Sequence, residues 1–406
     1  MALPVTISDA EFPIENSYAG PFKVGTAFYI VLKESTGGRP QVYKATDPTS
    51  SFSAQDAAGR PAAVPGSMWA VAEGTDIHIA TQEDGPTLDG DAHYHRFSTT
   101  TDTWSLIDDL IETPVNAPNL RREGVSLALR SDGDIVVLYT GDTDKVMGVT
   151  FNRCDYARFE GTSWSVGINV GGQGLEENHV AGVVVRGASD KMHFFWTAVL
   201  GTGDVDGFHV SLDSANSLGT EHQFLTESFE HGFRPGVFYD DVGVERVRAP
   251  LEKDAGGGDK RIMSCEVNDD GTPVFTRVSE FTPKLDGFGT LVCFALETKK
   301  IHALFPDLST QDLFRDENDD DGGWGTDVEI LDAVTIDSVT CNVYDRSGAK
   351  LAYVYDDGGA VKYNEFDLGG GTPVSQTMES DYEGLGGLSP GKQEAFESLI
   401  GVRREL

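Results

Sequence analysis

The sequence predicts an all-β protein: a seven-bladed β-propeller followed by a short C-terminal helical tail. Three observations predict it. A hairpin motif is written twice, as Tyr94-His95-Arg96-Phe97 with Trp104-Ser105 and as Tyr156-Ala157-Arg158-Phe159 with Trp164-Ser165, the tryptophans 60 positions apart. In each copy the first half alternates as a half-buried strand does. The middle is turn chemistry, Ser, Thr and Asp in one copy and Gly in the other, and Trp-Ser opens a second strand. One hairpin cannot bury its own apolar face, so a repeat of this size implies units that stack on one another. The second observation is that the 47 glycines and 17 prolines are spread along the chain, as many short strands joined by turns require. The third is the period. Phe52, Trp104, Trp164, Phe224, Phe275, Trp324 and Val374 stand at equivalent places, with steps averaging about 54, near the ~50-residue period of four-stranded propeller repeats.

In chain order, residues 1–23 read as an irregular lead-in with one strand at Val5-Thr6-Ile7, placed to pair with the final blade and close the ring. Residues 24–378 carry the repeats. The first unit has strands at 26–32 and 41–45 and lacks a convincing innermost strand; the second opens at Ser67 and ends in the Tyr94 hairpin; the third opens at Val125 and ends in the Tyr156 hairpin, with an unplaced stretch from Lys145 to Arg153. The fourth runs from Val180, the fifth from Pro235 and the sixth from Thr290; the seventh runs from Val339 to a weak last strand near Val374. Six blades result if the first and last sets combine. Residues 379–406 read as a flexible linker and a short amphipathic helix, opened by Ser389-Pro390 and carrying Phe396, Leu399 and Ile400 on one face. So narrow an apolar stripe is marginal alone and is expected to dock, on its own propeller or on a partner.

The balance of 66 acidic against 31 basic residues, a formal charge of −35, argues against binding nucleic acid through phosphate contacts. Cys154, Cys265, Cys293 and Cys341 share no metal-ligand spacing, and no disulfide is expected. The first residues lack the basic and long apolar regions of a signal peptide, and no apolar run reaches membrane-spanning length. Manufacture in a host cytoplasm without membrane insertion is the expectation.

The repeat architecture of residues 24–378, with its Tyr-x-Arg-Phe and Trp-Ser pair, resembles that of the sialidase-like and Kelch-like propellers. The Ser-x-Asp-x-Gly-x-Thr-Trp turn usual in sialidases is absent at Thr99 to Trp104 and at Gly161 to Trp164, which argues against a true sialidase. An acidic propeller with no signal peptide and a short helical tail also resembles accessory structural proteins of tailed viruses. That resemblance implies a place in a virion, beside other virion subunits.

The working surface of such a fold is the funnel at one mouth of its central channel. His179, His231, Phe233 and Arg234 fall in loops leading toward innermost strands and are the candidate binding surface. A sialidase-like enzyme would need arginines to clamp a carboxylate, a nucleophile and an acid; Arg122, Arg234, Tyr239 and Glu123 are the nearest set. Pairing of these arginines with neighbouring acids is the plainer reading. The stretch 316–323 reads as a carboxylate loop in which Asp316, Asn318 and Asp320 would hold Ca²⁺, or which is simply solvated; no other cofactor is implied. Asp91, His93 and His95 alternate along one strand and read as surface groups, since two histidines without a third ligand are weak evidence for a metal. The expected function is a non-enzymatic interaction platform in a tailed-virus particle, contacting protein partners or a host glycan. A sialidase-like glycan-active enzyme and a cellular scaffold are the alternatives.

Overall fold

The computed structural model describes residues 3–12, 17–83, 90–113, 124–146, 149–170, 177–187, 190–200, 204–226, 236–241, 244–256, 259–269, 273–286, 292–297, 299–307, 312–319, 324–332, 336–345 and 349–369. Seven antiparallel sheets account for its regular structure, and no helix occurs among the described residues. After β1 (Val5–Thr6), the first blade is built from β2 (Ala10–Glu11), β3 (Phe22–Val24), β4 (Ala27–Glu34), β5 (Pro40–Ala45) and β6 (Ser53–Gln55). The second holds β7 (Pro65–Glu73), β8 (Asp76–Glu83), β9 (Ala92–Ser98) and β10 (Thr103–Glu112); the third holds β11 (Ser126–Leu129), β12 (Ile135–Val146), β13 (Val149–Phe159) and β14 (Trp164–Asn169). The fourth holds β15 (Glu177–Arg186), β16 (Met192–Leu200), β17 (Asp204–Leu212) and β18 (His222–Thr226); the fifth holds β19 (Val237–Asp241), β20 (Val244–Gly256), β21 (Asp259–Asp269) and β22 (Pro273–Asp286). The sixth holds β23 (Cys293–Glu297), β24 (Lys300–Asp307), β25 (Asp312–Asp319) and β26 (Val328–Leu331). The seventh holds β27 (Ile336–Asp345), β28 (Ala349–Asp357) and β29 (Ala360–Gly369), and its fourth strand is β1.

The inner strands of successive blades meet, β3 with β7, β7 with β11, β11 with β15, β15 with β19, β19 with β23 and β23 with β27, so these strands surround the axis. The ring closes at two radii. On the outside Val5 pairs with Tyr363 and Thr6 with Lys362, and the Ile7 amide donates to the Val361 carbonyl at 2.8 Å. Near the axis the Tyr18 hydroxyl donates to the Cys341 carbonyl at 3.2 Å, and the Asn342 side chain donates to the Pro21 carbonyl at 3.3 Å. The innermost edge of the first blade is split: β2 pairs with Lys33 and Glu34, and β3 pairs with the opposite end of β4. The last strand expected near Val374 and the helix face of Phe396, Leu399 and Ile400 lie outside the described residues.

The duplicated motif forms two hairpins, with Trp104 opposite Phe97 and Trp164 opposite Phe159. Their turns need a residue at positive φ, and the two copies supply Asp102 at 53° and Gly161 at 75°. Asp102 also ties the second blade to the first, accepting from Tyr29 Oη at 3.0 Å and from Lys44 Nζ at 2.5 Å. The copies touch each other: the Trp164 ring lies edge-on to Tyr94, centroids 5.6 Å apart, and its Nε1–H donates to Asp109 at 2.9 Å.

Apolar side chains fill the space between neighbouring sheets. One cluster joins the third and fourth blades through Tyr156, Phe194 and Trp196, and another joins the fifth and sixth through Tyr239 and Phe294. Burying one such ring contributes about 1.5–3 kcal/mol against about 1 kcal/mol for a hydrogen bond. Stacking therefore supplies most of the stability, while the ladders fix register.

Sheets converge toward the axis, and at the closest approaches an inner position has room only for glycine. A Cβ on Gly236 would stand 2.5 Å from the Arg248 carbonyl oxygen and 2.9 Å from Val185 Cγ2 of the preceding blade. The first contact is backbone and cannot swing away. Gly236→Ala is expected to lower stability by about 1–3 kcal/mol, read as a shift in the urea unfolding midpoint at unchanged slope. Gly74→Ala, at a position with open space around it but with φ at 56°, separates backbone strain from crowding.

Candidate functional site at the mouth of the ring

Because neighbouring strands run antiparallel, the turn between the second and third strands of a blade falls at the same end as the connection into the next blade. That end is the mouth. Four of the hairpin segments there are long: β12, β13, β20 and β21 span 12, 11, 13 and 11 residues, against 6 for β5 and 8 for β24. The unplaced stretch from Lys145 to Arg153 belongs to this extension. β12 and β13 remain paired from Thr143–Asn152 to Val146–Val149, beyond a register shift after Thr140. In the fourth blade β16 and β17 pair out to Leu200–Asp204, and β15 rises with them, placing the His179 backbone opposite Ala198. The third and fifth blades thus raise long hairpins at the mouth, with the fourth blade between them.

A buried polar collar holds the inner strands together. Ser17 Oγ accepts the Met68 amide at 3.0 Å, Ser67 Oγ the Val125 amide at 3.1 Å, and Ser126 Oγ the Val184 amide at 2.8 Å. Cys293 Sγ accepts the Cys341 amide at 3.2 Å. Gln82 bridges the second and third blades, donating to the Thr140 carbonyl at 2.7 Å and accepting its amide at 3.3 Å. Each acceptor takes an N–H from the adjacent blade, so the collar aligns the blades and is not presented to a ligand. The sequence reading missed it. The available signal was a serine at the head of an apolar inner strand, repeated in Ser67-Met68-Trp69-Ala70 and Ser126-Leu127-Ala128.

Of the residues singled out in the sequence, Arg122, Glu123, His231, Phe233, Arg234 and Asp320 lie outside the described residues, and His179 is described only by its backbone. Tyr239, named as a nucleophile, is 5% exposed, and its ring sits in the apolar cluster between the fifth and sixth blades. The Arg248 guanidinium lies over its face, 5.9 Å from the centroid. That environment is a core, not a substrate-facing surface. A tyrosine–carboxylate pair does occur near the mouth: Tyr139 Oη donates to Glu112 Oε2 and accepts the Gly167 amide. Tyr139 is fully buried, and burial followed by Glu112 pushes its phenol well above the ordinary range, so it braces two blades as a neutral phenol.

The 316–323 segment does not begin as a loop. Asp316 and Asn318 belong to β25 and are 2% and 3% exposed. Asp316 accepts the Glu317 amide at 2.6 Å, and burial raises its carboxyl above the usual range. The alternation of this strand is hidden in the sequence because polar residues occupy its buried face.

His95 is likewise fully buried rather than at the surface. Its Nδ1 accepts the Asp108 amide at 2.9 Å, which leaves Nε2–H to donate to Thr81 Oγ1 at 2.9 Å. All four cysteines are buried, and none is in a disulfide.

No protein-family model matches the chain, and no curated protein matches it in sequence. Among solved structures it is similar to an ulvan lyase of polysaccharide lyase family PL25 bound to a GlcA(1-4)Rha3S unit. Identity is 12%, the TM-score is 0.57, and the match covers 92% of this chain and 96% of that one. A second PL25 ulvan lyase structure matches at 12% identity and TM-score 0.57, over 93% and 97%. A lectin of Aleuria aurantia in complex with Fucα1-6GlcNAc aligns at 10% identity and TM-score 0.46, over 80% and 97%. The lyase likeness establishes the fold and extends over nearly the whole of both chains.

The buried histidines set a pH dependence. Burial holds His78 and His95 at about 3, and burial followed by His193 and His222 lowers His209 well below its ordinary 6.5. Folded, these imidazoles stay neutral, whereas the unfolded chain takes up protons as pH falls through about 6.5. Their contribution is complete above that value and lost progressively toward pH 3. Urea midpoints measured from pH 7 to pH 4 are expected to fall, and His209→Gln is expected to flatten the slope by about 1.4 kcal/mol per pH unit, the equivalent of one proton.

Proposed function

We propose that the protein is a non-catalytic propeller that binds a glycan at its mouth. The observation that carries this reading is the rim made by the extended hairpins of the third and fifth blades on either side of the fourth. It stands at the end where Thr226 and Gly236, the described residues flanking His231, Phe233 and Arg234, leave and enter their blades. A raised rim at the end where a connecting sequence with an aromatic residue, an arginine and a histidine joins the blades suits a sugar chain: an apolar face to stack on and donors for hydroxyl groups. Support also comes from the ulvan lyase, which has this fold and holds a saccharide. The formal charge of −35 opposes the approach of sulfated or uronate-rich chains, so the expected ligand is a neutral glycan. The setting we propose is a tailed-virus particle, in which the propeller displays this face and the segment carrying Phe396, Leu399 and Ile400 docks on another virion subunit. The acidic composition and the helical pattern of that segment support it.

The lyase likeness also supports a second reading, a glycan-active enzyme, and one experiment separates the two. The full chain is incubated with neutral, uronate-containing and sialylated glycans, and binding and bond cleavage are followed in parallel. Binding to neutral glycans without cleavage is expected, weakened at least about tenfold, or about 1.4 kcal/mol, by Phe233→Ala. Turnover of any glycan that is abolished by Arg234→Ala would replace the binding reading with the enzymatic one.

A further inference from the structure

We propose that Glu83, Asp91 and His93 form a binding site for one divalent transition-metal ion of the Zn²⁺ type, at the mouth end of the second blade. The backbone builds the site. The Glu83 amide donates to the Asp91 carbonyl at 3.1 Å, setting the two residues opposite each other where β8 passes to β9. Two residues along, Thr81 faces His93, so all three side chains stand on one face of the sheet. One ligand atom from each lies within 4.8 Å of the other two.

The hydrogen bonding of Asp91 and His93 is incomplete. Asp91 Oδ1 and His93 Nδ1 are both shut off from solvent and have no hydrogen-bond partner. The two side chains are 22% and 13% exposed, and their nearest approach, Nε2 to Oδ2, is 3.9 Å, too long for a hydrogen bond. Leaving buried polar atoms unmet costs on the order of 1–3 kcal/mol each. A cation held through either atom would supply the partner that atom lacks.

The donor set selects the metal. One imidazole nitrogen with two carboxylates suits a borderline ion such as Zn²⁺, and two carboxylates balance its charge. An all-oxygen set of six or more would be needed for Ca²⁺. Three protein ligands leave a coordination position for water or an exogenous donor. The His93 ring is oriented by stacking on His95, at 6.2 Å between centroids and 23° between planes. His95 is in turn fixed by Thr81 and the Asp108 amide. The other group of this kind among the described residues, Asp312, Glu329 and Asp332, is carboxylate only and mostly exposed, and carries no such inference.

The test is independent of the glycan reading. The full chain, stripped with chelator, is titrated calorimetrically with Zn²⁺, Co²⁺ and Ca²⁺. The expected result is one Zn²⁺ per chain and a cobalt complex with visible absorption. Asp91→Asn and His93→Ala are each expected to weaken Zn²⁺ binding at least about 100-fold, whereas Glu329→Gln leaves it unchanged. Absence of stoichiometric Zn²⁺ binding by the wild-type chain overturns the proposal even if the variants fail to fold. Binding that survives His93→Ala, or that Ca²⁺ matches in affinity, overturns it as well.

Discussion

The pairing of β1 with β29 is the constraint on which the rest of the structure depends. Seven wedge-shaped sheets bury their faces only if each has a neighbour on both sides, and an open ring would leave two faces and one sheet edge bare. Val5 and Ile7, at 3% and 2% exposure, bring the start of the chain into the cluster shared by the first and seventh blades. Phe28 packs on Tyr344 and Phe52 on Tyr363 across the same boundary, with centroids 4.9 and 5.2 Å apart. Closure therefore rests on a short ladder backed by ring stacking, and no single long strand bears it.

The same geometry dictates the chemistry of each radius. Near the axis the closest approaches leave space only for glycine, as at Gly236, and serines there accept the next blade's amide. Between the sheets large rings fit, and even histidines are accepted there when burial holds them neutral and their ring nitrogens are hydrogen-bonded. At the opposite end from the mouth, Arg130 reaches from the third blade to Asn216 and the Asp213 carbonyl of the fourth. Blades are thus pinned at both ends, which keeps the mouth-side hairpins in a fixed arrangement.

Much of this was legible in the sequence where local chemistry and long-range packing agree. The Tyr-x-Arg-Phe hairpins could be read because their alternation, turn residues and spacing all describe one structure, and Asp102 and Gly161 occupy the left-handed conformations those turns require. The signal failed where buried positions carry polar residues. Asp316, Asn318 and His95 look like surface groups in sequence yet are buried, and for Asp316 and His95 the gap in apolar patterning is filled by a hydrogen bond that only the fold reveals. The split inner edge of the first blade was invisible for a related reason: β2 and β3 are too short for periodicity to register. The metal-ligand set was half legible. Asp91 and His93 share a strand, but Glu83 joins them only through hairpin register.

The central claim is that the chain is one closed ring whose first and last blades hold each other in place. Hydrogen–deuterium exchange on a Val5→Asp, Ile7→Asp double variant tests it most directly. The account predicts that β29, β28 and β4 lose protection together while β12 and β13 keep theirs. Unchanged protection of β29, with an unaltered melting temperature, would show that the ring does not depend on this closure.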